Sequence, residues 1–297
     1  MRHIRRVLRP RELSRSVISF AARTPTLPSA THTNSYALGT KDVLLIEPAT
    51  PYEDEQRAFL EWARGLVSAG RRLVAIVATH HHPDHIGGLE VLARELGAPV
   101  WAHAETRARL TGRDAAAITR DLTDGEILTL DGPIPEAWKV LHTPGHAPGH
   151  VCLFDERSRT AIVGDMVASV GTILIAPGDG DMTAYLAQLE RLAALDASLA
   201  LPAHGDPIDA PSVLFHHYVT HRLKREAKVL AAVHALDGAR AADVDLVPVA
   251  YDDTPAYLWP IALLSLQAHL EKLARDGTVV LEDSGLWRAA SRGGKTE

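Results

Sequence analysis

Imidazoles and a carboxylate crowd into residues 79–88, whose sequence is THHHPDHIGG. The segment follows an apolar run over residues 73–78, which is typical of a buried strand. A buried imidazole or carboxylate needs a partner, and one divalent cation satisfies several of them at once. The cluster therefore predicts a metal site at the point where the strand ends.

The spacing within this cluster predicts two metal positions. In an extended chain, side chains alternate between faces, so His80 and His82 project to one side and can hold one metal, while His81 points away. Asp84 and His85 then turn back with the chain and face a second position.

Three further segments place ligand-type residues directly after short apolar strands. Ligands collected from several strand ends at one edge of a sheet form a rigid site in an α/β scaffold. We therefore expect these residues to converge on the cluster, whereas His81, His142 and His150 are expected to support ligands rather than bind metal. The segments are LHTPGHAPGH with His146, GD with Asp165 and PAHG with His204.

Taken in order, HxHxDH, TPGHxPGH, GD and the HG of PAHG resemble the motifs of the metallo-β-lactamase superfamily. The resemblance implies an α/β fold, a four-layer αββα sandwich, with two metal ions bound at one edge. It implies that His80, His82 and His146 hold the first metal, that Asp84, His85 and His204 hold the second, and that Asp165 bridges them.

Flanking segments resemble the lactamase-β-like group of that superfamily, which is related to glyoxalase II and to an endoribonuclease for single-stranded RNA. The matches are TNSY at residues 33–36, TAYLAQL at 183–189 and YVTHR at 218–222. The group adds a C-terminal winged helix, and the last two matches make Tyr185 and His221 candidate substrate-binding residues. The chain departs from many relatives at residues 47–49, where it has Glu-Pro-Ala instead of Asp-Thr-Gly.

The predicted ligand set contains five imidazoles, two carboxylates and no thiolate. Such a set suits zinc and also admits iron or manganese. Two divalent ions about 3.5–4 Å apart share a water and lower its pKa, so that hydroxide forms near neutral pH. We therefore expect two divalent metal ions, zinc first, and hydrolysis in which Asp84 and Asp165 are the catalytic carboxylates.

Three functions are compatible with this site. We favour a dinuclear hydrolase that acts on a small-molecule acyl substrate, a thioester or a lactone. The second is an endoribonuclease or phosphodiesterase acting on single-stranded RNA. Residues 1–23 carry seven arginines and one acid, a net charge of +6, within a chain of net charge −6. The remaining residues therefore have a net charge of −12, which disfavours the binding of a polyanion such as RNA. The third is a mononuclear iron sulfur dioxygenase that uses only part of the ligand set.

The chain has 297 residues, of which 46% are hydrophobic, so it is long enough for two globular domains. We predict a basic arm over residues 1–15, a hydrolase domain over 16–210 and a helical winged-helix domain over 211–297. The last carries ten Lys or Arg against eleven Asp or Glu, so it lacks the charge of a nucleic-acid face. We expect this domain instead to form a wall of the active site or a homodimer contact, for which residues 257–259, Tyr-Leu-Trp, offer an apolar patch.

Targeting features are sparse. No apolar stretch approaches the roughly 18–20 residues of a membrane span. The sole cysteine, Cys152, lies in a strand pattern and is expected in the core, which is compatible with a reducing compartment. We therefore expect a cytoplasmic protein without a membrane partner, although the arginine-rich start also resembles a transit peptide.

Overall fold

The computed structural model describes residues 9–236 and 242–290 of the chain. Within these ranges, two β-sheets pack face to face, and helices cover the outer face of each sheet. The predicted α/β class and four-layer αββα sandwich are confirmed. The helices of the described C-terminal ranges pack with a two-stranded wing, as expected for a winged helix.

The first sheet contains seven strands in chain order, and the second contains five strands in the order β12-β11-β10-β9-β8. The strands of the first sheet are β1 (Arg11–Ser14), β2 (Val17–Arg23), β3 (His32–Leu38), β4 (Asp42–Ile46), β5 (Arg72–Val77), β6 (Val100–His103) and β7 (Ile118–Leu122). Those of the second are β8 (Ile127–Leu130), β9 (Glu136–His142), β10 (Val151–Asp155), β11 (Thr160–Gly164) and β12 (Leu199–Pro202).

The buried strands are apolar on both faces because helices cover the outer face of each sheet and the other sheet covers its inner face. Strand β4 (DVLLI) pairs in parallel with β5, and every residue of β4 is buried. Strand β10 (VCLFD) is likewise buried throughout, and it places Cys152 in the core as predicted. Burial raises the pKa of the Cys152 thiol to about 12, so this side chain stays protonated.

The helices are mostly amphipathic and pack their apolar faces on the sheets or on one another. They are α1 (Glu53–Ser68), α2 (Pro83–Ile86), α3 (Leu89–Leu96), α4 (Ala104–Ala108), α5 (Gly112–Ala117), α6 (Met182–Ala193), α7 (Pro211–Leu236), α8 (Asp243–Ala250) and α9 (Trp259–Arg275). The wing consists of β13 (Val279–Leu281) and β14 (Trp287–Ala289).

Each layer has its own apolar contact surface. Helices α1 and α3 pack on the first sheet, where Phe20 stacks on Trp62 with ring centroids 5.0 Å apart. The core between the sheets contains Tyr36 and Trp138, both fully buried. Helix α6 packs on the second sheet through a core that includes Tyr185.

Helix α7 links the hydrolase domain to the C-terminal domain. Its first half contributes Phe215 and Tyr218 to the core of the second sheet, and its second half contributes Val229 and Val233 to the C-terminal core. The helix begins at Pro211, where the sequence places the domain boundary, yet its first turns pack as part of the hydrolase domain.

Part of the predicted basic arm belongs to the sheet. Strand β1 pairs antiparallel with β2, and Arg9 forms an ion pair with the buried Glu55. A solvated arm over all of residues 1–15 is therefore not what the structure shows, because residues 11–14 supply an edge strand. Residues 1–8 of that prediction lie outside the described ranges.

None of the helices within the described ranges combines the length and the apolar character that crossing a bilayer requires.

Candidate metal centre

The predicted ligands follow the ends of four strands. His80 and His82 lie in the loop after β5, and Asp84 and His85 lie in the short helix α2 that follows this loop. The loops after β9, β11 and β12 carry His146, Asp165 and His204. These loops meet at one edge of the sandwich, so residues as far apart in the chain as His80 and His204 lie in one cluster.

The first group of three consists of His80, His82 and His146, whose ring nitrogens all lie within 4.8 Å of one another. Nε2 of His80 lies 3.0 Å from Nδ1 of His82 and 3.3 Å from Nε2 of His146. Three imidazoles whose nitrogens lie this close together are a fitting set for a divalent transition metal.

The second group of three consists of Asp84, His85 and His204, also within 4.8 Å. Oδ2 of Asp84 lies 3.8 Å from Nε2 of His85 and 3.5 Å from Nε2 of His204. The structure thus brings Asp84 and His85, for which sequence spacing predicted a second position, together with His204, which the resemblance implied there.

Asp165 lies between the two groups. Its Oδ2 is 3.5 Å from Nε2 of His146 and 3.5 Å from Nε2 of His85, and its Oδ1 is 3.4 Å from Nε2 of His204. A carboxylate whose oxygens lie near nitrogens of both groups is in the position of a bridging ligand.

The unsatisfied polar atoms of the cluster test whether a metal would fit. Nε2 of His85 and Oδ1 of Asp165 are buried and have no hydrogen-bond partner among the described residues. Leaving such atoms unpaired costs about 1–3 kcal/mol each, so they require a further ligand. Both face the space between the groups, and a cation there would satisfy them.

Hydrogen bonds from outside the cluster orient four of the imidazoles. In each, Nδ1 bonds away from the cluster, which leaves Nε2 facing inward, as in protein metal sites generally. The pairs are His80 Nδ1 with Thr79 Oγ1 at 3.0 Å, His85 Nδ1 with Glu47 Oε1 at 3.0 Å, His146 Nδ1 with the Leu174 carbonyl at 2.8 Å, and His204 Nδ1 with the His32 carbonyl at 3.0 Å.

Glu47 is the residue that departs from the resembled pattern, and it has a definite role here. Its side chain is buried, Oε1 accepts from the Thr79 hydroxyl and pairs with His85, and Oε2 lies 3.3 Å from the Thr79 amide. Glu47 contacts Nδ1 of His85 and leaves Nε2 of that ring facing the cluster. This is the position of a residue that orients His85 from outside the cluster. The signal for this role was an acidic residue directly after the apolar strand β4.

His150 supports the backbone of Asp165 and lies beside the predicted ligands, in the supporting position that the sequence predicted. Its Nε2 accepts the Asp165 amide N–H at 3.1 Å, and its Nδ1 bonds the Thr143 hydroxyl at 2.8 Å. Burial lowers the pKa of His150 well below its usual range, which keeps the ring neutral and able to accept. His142 bonds the Pro148 carbonyl at 2.8 Å and lies outside the cluster.

The two groups differ in protonation when no metal is bound. Burial lowers the pKa of His146 to about 4, so this ring is neutral at pH 7. Burial also acts to lower the pKa of His204, but the Asp165 carboxylate outweighs it and raises that pKa to about 10. Asp165 likewise raises the pKa of His85 well above its usual range against the effect of burial. Protons therefore occupy His85 and His204 of the second group and leave His146 of the first group unprotonated.

Filling the second group should release protons. Because His85 and His204 carry protons below their raised pKa values, a metal must displace about two protons per chain, and its affinity should rise with pH toward about 10. Calorimetric titration of the metal-free protein at pH 6, in two buffers of different ionisation enthalpy, measures this release. At pH 6 a metal-bound water, with a pKa of about 7, contributes few protons. Metal binding without net proton release would contradict the expectation.

The two candidate substrate residues lie elsewhere. Tyr185 is fully buried, and its hydroxyl donates to the Met166 carbonyl at 2.8 Å, so it packs the second sheet instead of contacting substrate. His221 is exposed on α7. The next residue, Arg222, is buried, and its guanidinium donates to the Ile173 carbonyl. Neither Tyr185 nor His221 is among the residues that line the cavity at the cluster, so their roles at the substrate stay predictions without support from this cavity.

A cavity of about 220 Å³ opens directly on the cluster. Its floor consists of His82, Asp84, His146, Asp165 and His204. Its walls come from residues 25–30 and from the loop over residues 171–181, which joins β11 to α6. Asp179 of that loop also lines the cavity, and sequence reasoning missed it because nothing near it in the chain marks it as functional.

Known families match the two parts of the chain. The family model described as the metallo-beta-lactamase superfamily matches residues 29–204, which is more than half of the chain. The family model described as the beta-lactamase associated winged helix domain matches residues 244–293.

Individual proteins are similar over nearly the whole length. The chain is 28% identical over 283 residues to a Drosophila melanogaster protein named beta-lactamase-like protein 2 homolog, covering 92% of each chain. A beta-lactamase domain protein from Burkholderia ambifaria has a TM-score of 0.79 at 22% identity and covers 95% of this chain and 93% of its own. A metallo-beta-lactamase family protein from Thermus thermophilus has a TM-score of 0.74 at 22% identity, covering 94% and 100%. The two solved structures show the same fold.

Proposed function

Because the chain belongs to the metallo-β-lactamase superfamily of metal-dependent hydrolases, we propose that it hydrolyses an acyl substrate of thioester or lactone type with two divalent metal ions. We further propose zinc as the metal, since the ligand set contains imidazole and carboxylate donors only. His80, His82 and His146 would hold one ion, Asp84, His85 and His204 the other, and Asp165 would contact both.

The residues that line the cavity favour an acyl substrate over RNA. Apolar side chains form much of its wall: Leu27, Pro28, Val170, Ile173 and Leu174. The charged residues among the described lining are aspartates and histidines, without a lysine or arginine. An RNA backbone is bound mainly by cationic side chains, so a neutral acyl group fits this wall better.

The bound ions would supply an activated water and polarise the carbonyl of the substrate. Water then adds to the acyl carbon, the C–S or C–O bond to the leaving group breaks, and the leaving thiolate or alkoxide takes up a proton. Asp84 faces the cavity with 16% of its side chain exposed, which places its carboxylate to accept a hydrogen bond from the attacking water. Asp165 holds the two ligand groups in one arrangement.

A second, open cavity of about 810 Å³ adjoins the first and gives room for the leaving group. The two share Ser29, Ala30 and Val170 in their walls. The second is lined by polar side chains that include His32 and Asn34, and its arginine, Arg11, lies 3.6 Å from the Asp206 carboxylate. A polar and nearly neutral leaving group therefore fits better than a polyphosphate or a nucleic acid.

Two other functions remain as outcomes of the experiment. An RNA nuclease would use the same ligands but would need cationic side chains at the cavity. A mononuclear iron dioxygenase would need only one group of three, and the second group with its inward-facing atoms argues for two ions. A homodimer through the C-terminal domain stays a proposal, for which the 80% exposed Tyr257 is the main observation.

Leu27 offers a test of the acyl site, because it lines the cavity and is 47% exposed, so that a change there leaves the core intact. We expect Leu27→Glu to lower kcat/KM for a medium-chain acyl thioester by about tenfold and to leave the acetyl thioester nearly unaffected. Steady-state kinetics of both esters on the zinc-loaded protein measure this.

Leu281→Glu is the matched control, since Leu281 is 53% exposed in the wing and far from the cavity in the chain. Equal activity of Leu27→Glu on both chain lengths would place the acyl group elsewhere. Cleavage of single-stranded RNA by the unaltered protein, with neither thioester nor lactone hydrolysed, would overturn the acyl proposal in favour of the nuclease.

A further inference from the structure

His82 is the least enclosed of the three histidines in the first group. Its side chain is 27% exposed, whereas His80 is fully buried and His146 is 6% exposed. Because more of this ring is exposed, less packing holds its Nδ1 toward the cluster than holds the other two rings. A metal ligand in such a place needs a hydrogen bond from outside.

Asp179 supplies that hydrogen bond. Its Oδ2 lies 2.6 Å from Nε2 of His82, the nitrogen opposite the one that faces His80. Its Oδ1 lies 3.3 Å from Nε2 of His81 and 3.4 Å from Nε of Arg109. His81 and Arg109 thus hold one oxygen of the carboxylate, and its other oxygen accepts the hydrogen bond from His82.

His81, His82 and Asp179 could also be read as a third metal site, since their ligand atoms lie within 4.8 Å. The distances argue otherwise. Bonds of about 2.0–2.1 Å in tetrahedral zinc separate the ligand atoms by about 3.3 Å, whereas His82 and Asp179 are 2.6 Å apart. That separation is a charge-assisted hydrogen bond.

We infer that Asp179 is the positioning residue for His82, and that the C-terminal helices hold the 171–181 loop that carries it. The inference rests on the proposed metal ligands and goes beyond them, because Asp179 touches no other predicted ligand and lies 97 residues from His82 in the chain.

The 171–181 loop also orients a second histidine of the same group. Its Leu174 carbonyl bonds Nδ1 of His146 at 2.8 Å. Two of the three imidazoles in the first group are therefore oriented by this loop, whereas His80 is oriented by its neighbour Thr79. The histidines of the second group are oriented by Glu47 and by the His32 carbonyl instead.

The C-terminal helices hold both ends of this loop from outside. Near its start, the buried Arg222 of α7 donates to the Ile173 carbonyl, next to Leu174. At its end, Arg275 of α9 pairs with Asp181, with Nη2 and Oδ1 3.1 Å apart. The C-terminal domain thus reaches the first ligand group through the loop and not by contacting the metal site itself.

The test uses the full-length chain and measures metal affinity by competition with a chromophoric chelator. We expect Asp179→Ala to weaken the binding of one ion of the pair by about 10–100-fold and to leave the other within about twofold. Asp179→Asn, whose amide oxygen still accepts from His82, should recover part of the loss. The visible spectrum of the Co²⁺-loaded protein should change for Asp179→Ala, because His82 then leaves its coordination geometry.

Two controls separate positioning from general damage. Asp131→Ala removes an exposed carboxylate that pairs with Lys41 and should leave both affinities unchanged. Thermal unfolding of the metal-free Asp179→Ala protein should match that of the unaltered protein, because Asp179 is partly exposed and packs in no apolar core.

The role of the C-terminal helices has its own variant. Arg275→Glu places like charges beside Asp181, and we expect the same ion to bind a few-fold more weakly, since a half-exposed pair contributes little on its own. Arg288→Glu, in the wing, is the matched control and should have no effect.

The possible failures are distinguishable. If the unaltered protein binds no metal, the proposed ligands and this inference both fall. If it binds metal and Asp179→Ala binds it equally well with an unchanged Co²⁺ spectrum, the inference alone is wrong. An effect of Asp179→Ala without any effect of Arg275→Glu would overturn the part assigned to the C-terminal helices.

Discussion

Asp165→Asn is expected to lower turnover by more than about 100-fold, the upper range for loss of an outer partner of a metal ligand, while the protein still folds. Asp165 is the residue that faces both groups, with Oδ2 toward His146 and His85 and Oδ1 toward His204. An asparagine of the same size presents an amide nitrogen to one group, which cannot bind a cation. Steady-state turnover and metal content of the same preparation measure the effect.

Asp155→Asn is the control for the loss of a buried aspartate. Asp155 ends β10 and accepts from the Arg157 and Ser158 amides, away from the ligand loops. We expect that variant to keep its metal and its activity. If Asp165→Asn retained full turnover, hydrolysis through a bridged pair of ions would be wrong.

Gly145→Ala is expected to lower the free energy of unfolding by about 3 kcal/mol or more. Gly145 of the TPGH motif has a φ of +135°, and an added Cβ would lie 2.3 Å from the backbone nitrogen and Cα of Tyr185 in α6. Helix backbone cannot move aside as a flexible side chain can, so either the loop of His146 or the helix must shift. Urea unfolding followed by circular dichroism measures the change.

Gly97→Ala separates the strain of the backbone from the collision. Gly97 also has a positive φ, +60°, but no heavy atom lies within 4 Å of its added Cβ. That variant should cost only about 1–2 kcal/mol. Equal losses for the two variants would show that the contact between Gly145 and α6 is unimportant.

The sequence was informative about the ligands because their order reflects a rule of the fold. Apolar strands that end in His, Asp or His-Gly deliver side chains to one edge, so His80, His146 and Asp165 could be expected together without coordinates. The four layers were implied by the resemblance to the superfamily, and continuous apolar runs such as β4 agree with them because they require cover on both faces.

Roles that depend on long-range contacts were beyond the sequence. Asp179 is one aspartate in a loop of glycines, and only folding brings it to His82 across 97 residues. Tyr185 and His221 were expected at the substrate because their segments resemble a group, yet packing buries the first and exposes the second. A helical segment shows which positions share a face but not what that face meets.

Glu47 shows the same limit within a motif. As a departure from Asp-Thr-Gly, its position was visible in the sequence, but its reach to His85 was not. The longer side chain and a backbone φ of +61° together bring the carboxylate to Nδ1 of His85 and to the Thr79 amide.

Metal content on the purified protein, followed on the same sample by hydrolysis of an acyl thioester, a lactone and a single-stranded RNA, tests the central claim most directly. We predict two divalent ions per chain and turnover of a thioester or lactone that a chelator abolishes and zinc restores. A single iron per chain with no hydrolysis of any of the three would contradict it, because the second ligand group would then have no ion to hold.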